Sequence, residues 1–227
     1  MANLAQLKVL EDLDGFLIVD KPSGLSFTTV LKAVKRKFNL VKLGHGGSLD
    51  AMASGVLVLL LGAANKFADR VMGADRSYTG SMVFGSVTNT GDRHGDAAPY
   101  PERTASLKDV RGDVFQTEPR FCSVRREGSA GYEVVDTGEH KQFLAHVYRF
   151  DLSEEKGESR EAEFSLVASK GVIVRALALD LGATLMSLRR TAIGKYKLED
   201  AIPFERLLEI EPKDFPSCVM PLSKALQ

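Results

Sequence analysis

Residues 44–62 read GHGGSLDAMASGVLVLLLG, a glycine-rich loop that runs directly into an apolar stretch. Because glycine has no Cβ, the backbone before Asp50 can pass close to a ligand. A carboxylate at the mouth of an apolar element can act as a nucleophile, a base or a metal ligand, and partial burial would strengthen its electrostatic effect. An aspartate that caps a helix or closes a turn explains the same residue more plainly, and the loop alone does not separate these alternatives.

Two well-known catalytic loops are excluded by the residues around these glycines. No Gly-Lys-Ser/Thr follows, so the loop is not a P-loop, and no serine has the glycine spacing of a nucleophile elbow. The histidines are His45, His94, His140 and His146. They are not clustered with acidic residues in the sequence, so we predict no metal site.

Strands and helices can be predicted on both sides of this loop. The apolar run 56–61 is a buried strand or helix, and its periodicity does not decide between the two. Residues 15–20 (GFLIVD) predict a buried strand, followed by a turn at 21–24 and a helix with Ser26 or Thr28 as its N-cap. Val30, Val34 and Phe38 share one face of that helix.

The remainder of the chain predicts further strands and one long helix. Strands are predicted over residues 78–85, 143–152 and 163–169, the last with Phe164, Leu166 and Ala168 pointing inward. A helix is predicted over 172–188, with Gly182 as a break or cap, and a polar loop over 86–101, whereas 113–141 gives no assignment. Strands mixed with helices without regular alternation favour an α+β fold with a mixed sheet, which we expect to form a single domain over residues 1–227.

Composition limits the class of protein. With 227 residues and 44% hydrophobic content, the chain can bury a core without disulfides or metals. Cys122 and Cys218 form no metal or redox spacing, which is compatible with a reducing compartment. The first residues do not resemble a signal peptide, and the longest apolar stretch, 56–61, is too short to span a bilayer. We therefore expect a cytoplasmic protein that does not enter membranes.

Charge is distributed unevenly although the net charge is zero. Residues 21–45 contain six lysines or arginines and no acid, and residues 165–197 contain six more against Asp180 alone. Such a division can attract phosphate to one face of a neutral molecule, so the pattern favours an RNA partner. One basic run taken alone is more often the solvated face of a helix.

Five segments of the chain, taken in order, closely resemble the TruB-type pseudouridine synthases. They are GFLIVDKPSGLS (15–26), GHGGSLDAMASGVLVLLLGAANK (44–66), RSYTG (76–80), SKGVIVRALALDLG (169–182) and LRRTAIGKY (188–196). The resemblance implies a pseudouridine synthase fold, mainly antiparallel, and the isomerisation of uridine to pseudouridine in the T loop of tRNA (position 55). It implies no metal and no organic cofactor, and we expect a monomer.

The same resemblance implies a role for particular residues. Asp50 would be the catalytic carboxylate, and Arg175 would pair with it and keep it ionised. Tyr78 would stack on the target base and take the C5 proton. His45 would help to hold the flipped-out nucleotides, and Lys21, Lys170 and Asp92 would lie near the pocket or at the RNA-binding edge. Lys21 and Lys170 can equally be residues that anchor turns.

Several departures from the family pattern leave alternatives open. The chain has Ala51, Gly46 and Ile173 where the family usually has Pro, Thr and Tyr, and it ends about where the family's C-terminal RNA-binding (PUA) domain usually begins. We therefore expect the catalytic domain only. The main alternative is an RNA-binding or RNA-folding module that has lost turnover. A metal-dependent hydrolase that uses Asp50, Asp92 and His45 is a third.

Overall fold

A computed structural model describes residues 13–100, 104–117, 119–124, 133–136, 138, 142–157 and 160–225. Its strands are β1 (Gly15–Lys21), β2 (Leu43–His45), β3 (Ser54–Leu61), β4 (Arg76–Phe84), β5 (Gly112–Thr117), β6 (Phe121–Val124), β7 (Glu133–Asp136), β8 (Gln142–Leu152), β9 (Glu161–Ala168), β10 (Ala183–Ile193), β11 (Tyr196–Lys197), β12 (Ile202–Pro203) and β13 (Met220–Pro221). Its α-helices are α1 (Phe27–Lys37), α2 (Ala68–Met72), α3 (Val174–Asp180), α4 (Phe204–Glu209) and α5 (Leu222–Ala225).

The chain divides into two compact units. Unit 1 comprises residues 1–74 and 192–227, and unit 2 comprises residues 75–191. Both contain strands and short helices, and unit 1 pairs strands in both directions, so the predicted α+β class with a mixed sheet is confirmed. None of the helices that the structure describes is long and apolar enough to cross a membrane.

Unit 1 is organised around an antiparallel pair of strands, β1 and β3. The pair is in register from Gly15 opposite Leu61 to Lys21 opposite Gly55. Strand β12 adds to β1 in parallel, β13 pairs with β1 in the antiparallel sense, and β2 pairs with β3. The predicted strand over residues 15–20 is therefore confirmed with one residue added.

Residues 56–61 of β3 are all apolar, and both faces of the strand are covered there. Leu57, Leu59 and Leu61 belong to one buried cluster, and Val56 and Val58 belong to another on the opposite face. A strand buried on both faces loses the period of two that would identify it. The ambiguity between strand and helix in the sequence thus has a structural cause.

Helix α1 follows the predicted pattern closely. The Ser26 side chain accepts a hydrogen bond from the Thr29 amide, which identifies Ser26 as the N-cap. Val30, Val34 and Phe38 are completely or almost completely buried in the cluster that contains Leu57. The helix is thus fixed to unit 1 by its apolar face, as predicted.

In the sheet of unit 2, neighbouring strands follow the order β10-β4-β9-β8-β5. Strand β9 pairs with β4 and β8 in the antiparallel sense, and β5 pairs with β8 in the same way. Phe164, Leu166 and Ala168 are buried, which confirms the predicted alternation in β9. The predicted strands over 78–85 and 143–152 are confirmed as β4 and β8, and the region 113–141 contains β5 to β7.

The predicted helix over residues 172–188 is wrong in extent. Helix α3 ends at Asp180, and residues from Ala183 onward form β10. Gly182 has a φ of +68°, which lies in the left-handed region of backbone conformation. Residues other than glycine rarely adopt this conformation, and it ends the helix. The predicted position of the break is confirmed. The element beyond the break is a strand and not a helix, because the apolar residues of this stretch fit either element.

Asp180 at the end of α3 provides a prediction about stability. Burial raises the pKa of its carboxyl to about 6, although the residue as a whole remains exposed. An unfolded aspartate titrates near pH ~3.9, so deprotonation between pH ~4 and ~6 lowers stability, and the loss persists at higher pH. We expect Asp180→Asn to stabilise the protein at pH 7.5, by no more than about 1 kcal/mol because solvent screens the exposed group.

Thermal unfolding measured at two pH values tests this expectation. The Tm of Asp180→Asn should exceed that of the wild type by about 2 °C at pH 7.5 and by much less at pH 4. Asp96→Asn, a change at an exposed aspartate of the same unit, is the matched control. An equal Tm difference at both pH values would show that titration of Asp180 is not its cause.

Candidate active site

The Asp50 loop comprises residues 46–53 and connects β2 to β3. Leu49 and Ala51 on either side of Asp50 are buried, whereas Asp50 itself is exposed. The expectation of a partly buried carboxylate is therefore wrong for this residue. The loop is anchored by its apolar side chains and presents its acid outward, so the carboxylate can meet a large substrate.

The turn after β1 is joined to the Asp50 loop by backbone and hydroxyl hydrogen bonds. The Gly24 amide donates to the carbonyl of Ala51 at 2.7 Å, and the Ser23 hydroxyl donates to the carbonyl of Met52 at 2.7 Å. These bonds fix the backbone that immediately follows Asp50. The lysine-proline-serine-glycine turn of the sequence is therefore structural support for the loop.

Lys21 joins the same turn to the same loop from inside the protein. Its side chain is completely buried. The ammonium donates to the carbonyls of Pro22 at 2.8 Å and Leu25 at 2.7 Å, and to those of Ala51 and Ala53 in the loop. Such a buried ammonium favours a positioning role for Lys21 over the RNA contact that the resemblance implies, and both roles stay predictions.

His45 lies at the end of β2, just before the Asp50 loop. Its ring packs against that of Phe27 with 4.8 Å between centroids, and its Nδ1 accepts a hydrogen bond from the Gly47 amide at 3.3 Å. At the next position a Cβ would clash with the Val71 side chain, so this chain requires Gly46 where the family usually has threonine. In this chain the Val71 side chain therefore fills the space beside Gly46.

Tyr78 lies in β4 of unit 2, opposite Leu166 of β9. Its side chain is buried, with 6% of the residue exposed. Its hydroxyl makes no hydrogen bond with any residue in the described part of the chain. A fixed ring with an available hydroxyl is suited to stacking on a base and accepting a proton, so its predicted role stays open to test.

Arg175 and Asp92 are brought together in unit 2 around Thr90. The Arg175 guanidinium donates to the carbonyl of Thr90 at 2.7 Å, and the Thr90 hydroxyl donates to the Asp92 carboxylate at 3.1 Å. The His94 amide also donates to that carboxylate. Asp92 is 1% exposed, so its bonds order the loop that holds Arg175, and its predicted place at the RNA-binding edge stays a prediction.

Gln116 fixes the start of helix α3 by hydrogen bonds. No sequence pattern had indicated a role for this residue. Its side-chain amide donates to the carbonyl of Ile173 and its oxygen accepts from the Ile173 amide, both at 3.0 Å. This pair of bonds fixes the backbone two residues before Arg175. Because it uses only backbone atoms of Ile173, the usual tyrosine at that position is not needed for it.

The two basic runs behave differently in the structure. On α1, Lys32, Lys35, Arg36 and Lys37 are all exposed. In the second run Arg175 and Arg190 are buried, and Lys197 pairs with Glu199 at 3.3 Å. The second run therefore does not form one basic surface as expected. Lys170 is exposed, and its predicted RNA contact remains possible on geometric grounds.

The metal-dependent alternative finds no support in the geometry. Within the residues that the structure describes, no group of three or more His, Cys, Asp or Glu side chains is arranged to hold a metal ion. Asp50 and His45 belong to unit 1, whereas Asp92, Tyr78, Arg175 and Lys170 belong to unit 2. Each unit thus contributes a fixed set of residues, supported by Lys21 in one and by Gln116 in the other.

Comparison with solved structures shows the fold. A chain in the crystal structure of a Cbf5-Nop10-Gar1 complex matches 96% of this chain with a TM-score of 0.65 and 25% identity, and the match covers 63% of that chain. A chain in the structure of an H/ACA RNP bound to a substrate RNA containing 2'-deoxyuridine matches 99% of this chain with a TM-score of 0.65 and 24% identity. The chain thus spans less than two thirds of either one. It has the fold of the pseudouridine synthases.

Sequence comparison identifies the family within that class. Residues 35–174 match the family model "TruB family pseudouridylate synthase (N terminal domain)". The chain is 33% identical to tRNA pseudouridine synthase B of Methylobacillus flagellatus, over 97% of this chain and 78% of that protein. It is 34% identical to the enzyme of the same name from Bordetella avium, over 87% and 88%. The chain belongs to the TruB family of pseudouridylate synthases.

Proposed function

We propose that this chain is a tRNA pseudouridine synthase that converts the T-loop uridine (tRNA position 55) to pseudouridine, with Asp50 as its catalytic carboxylate. The observation that carries the proposal is the exposed Asp50 carboxylate on a loop held from inside by Lys21 and Ser23. Membership of the TruB family supplies the chemistry, and the matching relatives are named tRNA pseudouridine synthase B.

The reaction rearranges one nucleoside without adding or removing an atom overall. The Asp50 carboxylate assists cleavage of the bond between C1′ and N1, either by attack on the sugar or through a glycal. The freed base turns, C5 bonds to C1′, the C5 proton leaves and N1 gains a proton. A uridine in a folded loop must first leave its stack, at a cost of a few (~2–4) kcal/mol, and the exposed position of Asp50 suits a substrate presented in this way.

Tyr78 and Arg175 are proposed to act on the same uridine. The Tyr78 ring would stack on the base, and its hydroxyl, which has no hydrogen bond to the described residues, would receive the C5 proton as its own proton passes to water. Arg175 would keep the catalytic carboxylate ionised. A double-mutant cycle with Asp50→Asn and Arg175→Met tests this: strongly non-additive losses of kcat would support a shared role, and additive losses would contradict it.

Exposed cations in both units are proposed to bind the RNA backbone. The outer face of α1 and Lys170 carry the positive charges for this, and His45 lies beside the Asp50 loop. Phosphate contacts orient RNA without selecting a sequence. Choice of the T-loop uridine would then rest on the shape of the folded loop.

The substrate is tested with RNA hairpins. We expect the protein to release tritium from a T-arm hairpin carrying 5-tritiated uridine, and to leave an anticodon-arm hairpin of equal length essentially unmodified. Conversion of both hairpins at similar rates would contradict T-loop specificity. Tight binding of the T-arm hairpin without tritium release would favour the alternative of an RNA-binding module without turnover.

We also propose that the enzyme acts as a monomer, in the cytoplasm where tRNA is modified, and without a metal or organic cofactor. Turnover of a T-arm hairpin that folds without divalent ions should be unchanged by chelator. The molar mass of the active species by sedimentation should equal that of one chain of 24.7 kDa. Loss of turnover with chelator, restored by one metal, would contradict the cofactor-free reaction.

A further inference from the structure

Unit 1 contains a cavity that the proposed chemistry does not use. It has a volume of about 220 Å³ and lies between β1, α2 and the turn that joins β10 to β11. Water occupies roughly 30 Å³ per molecule in the liquid, so the cavity has room for about seven waters. A space of this size accepts one planar ring, and its open side leaves room for the groups attached to that ring.

Aromatic rings form the walls of this cavity. Phe16 stacks on Tyr196 with 5.5 Å between ring centroids and 20° between ring planes, and Phe67 packs against Phe16 at 6.5 Å. Val71 and Ile193 complete the apolar lining. Rings held in this way form a preformed surface on which a nucleobase can stack.

Three polar side chains border the cavity, namely those of Arg70, Lys195 and Tyr196. The Tyr196 side chain is buried with 6% of the residue exposed, yet its hydroxyl makes no hydrogen bond with any residue that the structure describes. Arg70 and Lys195 line the cavity as well and are exposed. Neither forms an ion pair with a carboxylate in the described ranges. A phenol hydroxyl can bind a base or a phosphate oxygen, and exposed cations of this kind attract phosphate.

We propose that this cavity binds one unpaired nucleotide of the RNA substrate, with its base against the rings of Phe67 and Tyr196 and its phosphate on Arg70 and Lys195. This inference rests on the proposed function, because it assigns a second contact to the same RNA. A free mononucleotide also has a base and a phosphate and would fit the same cavity. The experiments below therefore distinguish a nucleotide of the RNA from a free mononucleotide.

The cavity is connected to the Asp50 loop through packing. Val71 lines the cavity and also fills the space beside Gly46, where a Cβ would clash with its side chain. A nucleotide in the cavity would press on Val71 and so on the first residue of the loop. The site would therefore hold one nucleotide beside the packing that supports the Asp50 loop.

Steady-state kinetics with a T-arm hairpin test the proposal. We expect Arg70→Ala/Lys195→Ala to raise KM about tenfold with kcat unchanged, and to reduce the salt dependence of log KM by about 0.7 for each phosphate that is no longer bound. Tyr196→Phe, which removes only the hydroxyl, should raise KM about threefold. Ala74→Leu, which fills the cavity, should raise KM at least as much as the double variant does.

The matched control is Arg206→Ala/Lys213→Ala, which removes two exposed cations elsewhere in unit 1. Its KM should remain within about twofold of the wild type. If the cavity variants behave like this control, with folding verified by their Tm values, the proposal is overturned while the proposed function stands. If the wild type forms no pseudouridine at all, the proposed function fails first.

Methyl NMR signals of Val71 and Ile193 separate the two sources of nucleotide without requiring turnover. Shifts of both signals with the T-arm hairpin, and only weak shifts with uridine monophosphate, support RNA as the occupant. Saturation by the free mononucleotide at lower concentration than by RNA would overturn the RNA assignment. No shift of either signal with either ligand would overturn the site itself.

Discussion

Asp50→Asn should abolish pseudouridine formation, with kcat lowered at least about a thousand-fold, while the affinity for a T-arm hairpin changes by less than about threefold. Asparagine has the same shape as aspartate but cannot act as a carboxylate nucleophile or base. Because Asp50 is exposed and its neighbours Leu49 and Ala51 hold the loop, the substitution should leave the fold intact. The substitution should therefore lower kcat without a comparable change in the affinity for RNA.

Tritium release from 5-tritiated uridine under single-turnover conditions measures the chemical step, and filter binding measures affinity. Asp200→Asn makes the same substitution at another exposed aspartate of unit 1 and should leave both quantities at wild-type values. Release by Asp50→Asn at a rate near that of the wild type would end the assignment of Asp50. A large loss of affinity would instead indicate that the carboxylate orders the RNA-binding surface.

The sequence correctly predicted the helices and strands that bury only one face, because their apolar residues recur at a regular spacing. Helix α1 and strand β9 each bury one face, so the spacing of Val30, Val34 and Phe38 and the alternation of Phe164 and Leu166 were sufficient to identify them. The start of β10 was wrongly predicted as helix because residues 183–188 continue the mostly apolar stretch of α3. The apolar run that became β3 was ambiguous for the opposite reason. When every position is apolar, the identity of an element depends on which strands cover it, and no local pattern contains that information.

For the candidate site, motifs indicated which residues matter but not what each one does. Lys21 and Asp92 both belong to recognisable motifs, yet both are buried and hold loops together, since a residue type does not reveal its exposure. Gln116 gave no signal, because its partner is the backbone of Ile173, 57 positions away. Residues that position others through backbone bonds are therefore the ones that sequence patterns are least able to identify.

The second large effect is expected for Lys21→Met, which should lower the free energy of unfolding by about 3 kcal/mol and kcat by about ten- to a hundred-fold. Methionine matches the length of the side chain but donates no hydrogen bond. The carbonyls of Leu25 and Ala53 would lose the ammonium that they share, and the Ala53 carbonyl is buried away from water that could replace it. The bonds from Ser23 and Gly24 would still join the turn to the loop, but the loop would lose the ammonium that binds it from inside.

Because Lys21 does not contact solvent, its loss should affect kcat and stability with little change in KM for the hairpin, and this distinguishes positioning from RNA binding. Lys213→Met, an exposed change in the same unit, is the control for loss of a cation. If Lys21→Met fails to fold, the milder Ser23→Ala should still lower kcat several-fold by freeing the carbonyl of Met52. A raised KM with unchanged kcat and Tm would show that Lys21 binds RNA after all, and that the loop does not depend on it for its shape.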